Sequence, residues 1–178
     1  MTSVEVHVDT SAAQRALATI QRGVDNRAYL DLVGQRVLNW VDLNFREHGS
    51  EHPWKPLSPN TIASRRGSGR GGVQPLRDTG RLAQSFTARR SGDSITVGTQ
   101  DQKAQWHHLG TRPYTIMPKR RGGVLRFTIA GRGVLYRTRV RHPGLPARPL
   151  LPSQRLAEEL ALQVLQTYVD AVIKEAAA

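Results

Sequence analysis

Apolar residues recur at three- and four-residue steps through Leu30, Val33, Val37, Trp40, Val41 and Phe45, the period of a helix that hides one face. Asn26 is placed to cap this helix and Gly49 to stop it. Ahead of it, Val4, Val6 and Val8 alternate with polar neighbours from Ser3 to Val8, the period of a half-buried strand. Asp9, Thr10 and Ser11 then offer caps for a short helix to about Arg22. At the far end, Ser153 opens a helix to about Lys174. Its apolar residues Leu156, Leu160, Leu162, Val164, Leu165, Tyr168, Val169, Val172 and Ile173 cover more than one stripe, so part of it is expected to pack on a neighbouring subunit.

Between the long helices the pattern shortens. From Ser50 to Pro75 the chain is polar and rich in Gly, Pro and Arg. Ser58-Pro59 reads as a cap and first-turn proline for a helix through about Arg66, and the GSGRGG run of Gly67 to Gly72 reads as a mobile insertion. Asp78 and Thr79 can cap a short turn through Leu82. Ser85 to Ala88 is expected to pair with Ser94 to Gly98 across Ser91-Gly92-Asp93. Further strands are expected at Tyr114 to Met117, Val124 to Ile129 and Val134 to Val140, the last two joined by Gly131-Arg132-Gly133, all in one small, mostly antiparallel sheet. Pro143, Pro146, Pro149 and Pro152 then interrupt regular structure.

The fold class is α+β: one domain over 1–178, with a strand and helices in 1–48, a mobile basic loop in 62–75, a β-rich part in 76–152 and a closing helix in 153–176. A chain of 178 residues can bury roughly two-thirds of its unfolded surface. Its apolar content, 38%, is low for a globular domain, so partner surfaces are expected to complete a thin core.

Charge sharpens this picture by its placement. Between Asp101 and Glu158 there is no acidic residue, while twelve cations fall there, eleven of them after Lys103 and nearly all Arg. The other fourteen Lys and Arg balance the fourteen Asp and Glu, so the whole net charge of +12 lies in this stretch. Arg pairs bidentately with carboxylate or phosphate, and the stretch is read as facing something acidic. Cysteine is absent, which removes disulfides and thiolate chemistry. MTSVEVHVD has acids and no apolar h-region, and no run approaches the roughly 18 residues of a membrane helix, so neither a standard secretion signal nor a membrane segment is expected.

Candidate chemistry is sparse. His107 and His108 are adjacent and point apart on helix or strand, so they do not converge on one ion. His48 and His52 are four apart but are interrupted by Gly49 and Pro53. Glu47 with Glu51, and Glu158 with Glu159, read as solvated charge rather than acid–base pairs. Gly67 to Gly72 lacks the strand before it and the Lys-Ser or Lys-Thr after it that a phosphate loop requires. No catalytic, cofactor or metal site is expected. The rival classes are a basic nucleic-acid-binding accessory protein, using Arg65, Arg66, Arg70, Lys119, Arg120 and Arg121 on phosphates, and a hydrolase using His107 or His108.

The order Gly49, Trp54, Leu57, Thr61, Arg65 and Arg66, then Leu76-Arg77-Asp78-Thr79-Gly80-Arg81-Leu82 with Ser85, resembles the front half of the phage virion morphogenesis proteins. The second half agrees through Val97-Gly98-Thr99, Ala104, His107-His108-Leu109-Gly110 and Leu145-Pro146-Ala147-Arg148-Pro149-Leu150-Leu151. Lys103 and His108 depart from the usual aromatic residue and Gln. The resemblance implies a non-enzymatic tail-completion, tail-terminator or head-tail joining protein of Mu-like and related tailed phages. It also implies a ring, expected to be sixfold, that works at the head-tail junction of the virion after assembly in the host cytoplasm. Its partners would be further copies of itself, the tail tube protein and neck or connector proteins, with DNA nearby and no membrane. Arg65, Arg66, Arg70, Lys119, Arg120, Arg121, Arg137 and Arg139 would then be the partner-facing cations. Gly67 to Gly72 and Lys119 to Gly123 are expected to settle on assembly.

Overall fold

The computed structural model describes residues 25–67, 72–129 and 133–176. The strand expected at Ser3 to Val8 and the helix expected to Arg22 lie outside the described residues, as do 68–71 of the glycine-rich run and most of the Gly131-Arg132-Gly133 connection. The described chain forms helices α1 (Asn26–Glu47), α2 (Pro59–Gly67), α3 (Gln102–Leu109) and α4 (Gln154–Ala176), with a single 3-10 turn at Ala83–Ser85. Six short strands accompany them: β1 (Phe86–Ser91), β2 (Ser94–Thr99), β3 (Tyr114–Ile116), β4 (Leu125–Ile129), β5 (Gly133–Arg137) and β6 (Val140–His142). This is an α+β chain, but its strands form three separate two-stranded ribbons rather than the single sheet expected.

The elements gather into two compact units, and α1 contributes its first half to one and its second half to the other. In the first unit, 25–36, 88–96 and 154–176, Leu30, Val33 and Leu160 are buried. Gly34 lies so close to the hairpin that a Cβ there would meet Ala88 Cβ at 3.0 Å and Ile95 Cγ1 at 3.1 Å. The Tyr29 hydroxyl donates to the Ala161 carbonyl at 3.2 Å, and Arg90 pairs with Asp31 at the same distance. The cap of α1 is Asp25 rather than Asn26: its carboxylate accepts from the Arg27 N–H at 2.9 Å, while the Asn26 amide donates to Asp93.

In the second unit, 37–87 and 97–153, the core is Val41, Phe45, Trp54, Phe86, Ala104 and Leu150. The Phe45 ring meets Trp54 edge-on at 5.3 Å between centroids and Phe86 at 6.0 Å. The end of α1 turns on His48, at φ 60, with the Gly49 N–H reaching back to the Asn44 carbonyl at 2.9 Å, the longer bond of a Schellman cap.

Several expected elements end elsewhere. The run Val134 to Val140 is two strands. Residues 133–137 pair with β4, placing Phe127 opposite Leu135, and after a break at Thr138-Arg139 residues 140–142 pair with β3, placing Tyr114 opposite His142. The break lets one stretch serve two partners. Residues 62–67 of the expected basic loop are helical. The turn assigned to Asp78 and Thr79 forms instead at Ala83–Ser85, with Leu82 at its N-cap position and no side-chain cap. Helix α3 was not expected. Asp101 caps it, accepting from the Lys103 N–H at 3.0 Å.

Candidate functional site

The Pro146-Ala147-Arg148-Pro149 strut is the centre of the motif residues, and it is fixed on every side within its own unit. Its arginine is buried, and the Nε and Nη2 groups donate to the Lys55 carbonyl at 3.2 and 2.8 Å. The Arg148 backbone N–H donates to the His107 carbonyl at 2.7 Å. One residue on, the Pro149 carbonyl accepts from both Asn44 Nδ2 at 3.0 Å and Trp54 Nε1 at 3.1 Å. The Leu150 N–H donates to His108 Nδ1 at 3.0 Å, and Leu150 fills the core. Proline supplies no N–H and holds φ, so these bonds fall on the strut's remaining groups.

Two glycines let the chain come this close. A Cβ on Gly110, at φ 72, would stand 2.8 Å from both the Ala147 nitrogen and the Leu145 oxygen; one on Gly144 would stand 2.2 Å from the Thr111 oxygen. The Thr111 N–H bonds the Leu145 carbonyl and the Thr111 hydroxyl accepts from the Leu145 N–H, closing the pair of strands of chain into a clamp.

Beside the strut lies an open cleft of about 880 Å³. Lys55, Leu57, Thr61, Arg65, Leu76, His107, His142, Pro146 and Arg148 are among its lining residues, and the lining includes no carboxylate. Burial pushes the Arg148 guanidinium below its usual range. His107 is held below its ordinary value of 6.5, chiefly by burial and next by the charge of Arg148, with Asp101 acting the other way. Its Nδ1 is buried with no partner among the described residues. Ser58 caps α2, its hydroxyl accepting from the Thr61 N–H at 3.2 Å and sharing a bond with the Thr61 hydroxyl at 2.9 Å.

The structure therefore brings Trp54, Leu57, Thr61, Leu76, His107, Gly110, Pro146, Arg148 and Pro149 around one strut and one cleft. Leu82 and Leu76 pack against the core. The Ser85 hydroxyl donates to the Leu82 carbonyl at 2.8 Å and meets the Thr99 hydroxyl at 2.6 Å, which fixes the entry to β1. Gly80 takes φ 76 and its carbonyl accepts from the Gln84 N–H, while Thr79 is exposed. Asp78 pairs with Arg65 at 3.6 Å.

Among the basic residues, Arg65 is engaged with its own chain: Nη1 donates to the Gly72 and Gln74 carbonyls at 3.3 and 2.8 Å. Lys119, Arg120, Arg121, Arg137 and Arg139 are exposed. Lys119 to Gly123 is a turn in which the Gly123 N–H bonds the Arg120 carbonyl at 3.0 Å. The Arg66 backbone is helical, and Arg70 lies outside the described residues. Asn44 was missed by sequence reading, and Glu51, read there as solvated charge, is bonded instead. Asn44 is 1% exposed, and its Oδ1 accepts from the Ser50 N–H at 2.8 Å. Its signal was a polar residue three places after Val41 on the buried stripe. Glu51 accepts from both the N–H and the hydroxyl of Ser153.

Among the described residues no group of three or more His, Cys, Asp or Glu is placed to hold a metal ion, and no helix is long and apolar enough to cross a membrane. A family model described as the phage virion morphogenesis family matches residues 8–170. No curated protein and no solved structure matches the chain.

Proposed function

Because the chain belongs to the phage virion morphogenesis family, we propose that it completes the phage tail, as a terminator or head-tail joining protein that works by binding rather than turnover. It would assemble as a ring of its own copies, sixfold like the tail beneath it, and offer one side to the tail tube protein and the other to the neck.

The observation that carries this reading is a division of labour among the residues. The motif side chains brace the strut from within, Arg148 on Lys55 and Trp54 and Asn44 on Pro149. The exposed side chains of the stretch after Asp101 are Arg and Lys interleaved with uncovered apolar residues, among them Met117 at 68%, Tyr136 at 56% and Val124 at 55% exposure. A rigid frame that presents Arg, Tyr and Met suits protein partners, since those residue types are enriched at interfaces. The test is to add the purified chain to tails that lack it. Such tails should then stop growing at a fixed length and accept heads; tails whose length and joining ignore the protein would end this reading.

A second reading is favoured by one observation, the exposed Lys119-Arg120-Arg121 turn, which suits phosphate. It expects steeply salt-dependent DNA binding by the isolated subunit.

A further inference from the structure

Among the described residues, one face of the β4–β5 ribbon is left open. Residues opposite one another on an antiparallel pair share a face. Leu125, Phe127, Ile129 and Leu135 make the half-buried face, on the strand that α2 approaches. The other face pairs Arg126 with Tyr136 and Thr128 with Val134, and all four are exposed. A lone two-stranded ribbon is marginal in water, and one with apolar residues on both faces needs a second cover. Phosphate would use the arginine but not Tyr136 or Val134, so the cover this face fits is protein that is both apolar and acidic.

The chain itself carries such a surface. On α4, at 100° per residue, Glu158, Glu159, Leu162, Gln166, Asp170 and Ile173 fall within a stripe about 120° wide. All six are exposed, Leu162 at 64% and Ile173 at 45%. Arg155 shares this stripe and pairs with Glu159 at 3.7 Å, so Glu158 and Asp170 carry its negative charge beside two uncovered aliphatic side chains and complement a ribbon whose neighbourhood, from Gln102 to Ala157, has no acid at all.

Resting on the ring reading above, we propose that the open face of the β4–β5 ribbon in one copy docks on the outward stripe of α4 in the next copy. Tyr136 and Val134 lie on Leu162, and Arg126 faces Glu158. The two patches differ, so the contact is head-to-tail, the kind that closes into a ring when the rotation between copies allows.

The experiment is light scattering on the full chain, alone and on purified tail tubes, for wild type, R126E, E158R and a one-to-one mixture of the two variants. Both side chains are exposed. Each variant alone should lose the ring, and the mixture should regain it, because every contact in an alternating ring is then complementary. Recovery in the mixture also shows that both variants are folded. If wild type forms a ring and both variants keep it, or the mixture stays monomeric, this pairing is wrong while the ring reading stands. A wild type that is monomeric in both settings overturns both. A ribbon variant that keeps the ring and loses only DNA binding assigns the face to phosphate and also overturns the proposal.

Discussion

Arg148 joins three segments through one side chain and one backbone N–H, and its positive charge has only the Lys55 carbonyl as a bonded side-chain partner among the described residues. Hydrogen bonds from a charged donor contribute about 1.5–3 kcal/mol each when judged by removal. Arg148→Ala should therefore cost about 3 kcal/mol and lower Tm by roughly 6–12 °C in a chain of this size. Thermal denaturation by circular dichroism checks this, and a shift of a degree would show the strut to be held by its prolines alone. Arg148→Lys should recover little, since an ammonium does not reproduce the two-pronged donation.

His107 gives a pH effect with a definite sign. Its folded value lies below 6.5, so below that pH the unfolded chain binds the proton that the folded chain resists. Stability should fall as the pH drops through 6.5 and level off below the folded value. His107→Gln should flatten this slope when melting is followed between about pH 5 and 7. Asp101 opposes the shift, so Asp101→Asn, which keeps a capping side chain, should lower the His107 value further in an NMR titration. If it rises or stays fixed, the carboxylate does not act on the ring.

At the scale of elements, Asp101→Ala removes the side-chain N-cap of an eight-residue helix and should cost about 1 kcal/mol, read as a lower denaturant midpoint at unchanged slope. That helix also marks where sequence reading ran out. The stripe Leu30, Val33, Val37, Val41 and Phe45 is buried along its whole length, so α1 was visible from period alone. In α3 only Ala104 is buried, while Trp106 and Leu109 are exposed, so there was no apolar period to read; its one signal was the cap. The run Val134 to Val140 misled for a related reason. Alternation does not reveal that Thr138-Arg139 releases one ribbon and starts another. Gly110 and the prolines of the strut were legible as backbone constraints. The partners of the strut, Asn44 and the Lys55 carbonyl, were not, because they lie about a hundred residues away and one is a backbone oxygen.

At the scale of the whole molecule, the +12 charge and low apolar content are what the proposed assembly role would draw on. Family membership places it in virion assembly, and its exposed Arg and apolar residues suit contacts with protein. Contacts of that kind should weaken gradually with salt, since burial of Tyr and aliphatic side chains is not screened, whereas phosphate contacts weaken steeply. The most direct test of ring assembly is the mass of the purified chain by light scattering after chromatography, across salt and with and without tail tubes. The account predicts one discrete ring mass, in solution or on the tubes; a persistent monomer that ignores tubes and shifts DNA would contradict it.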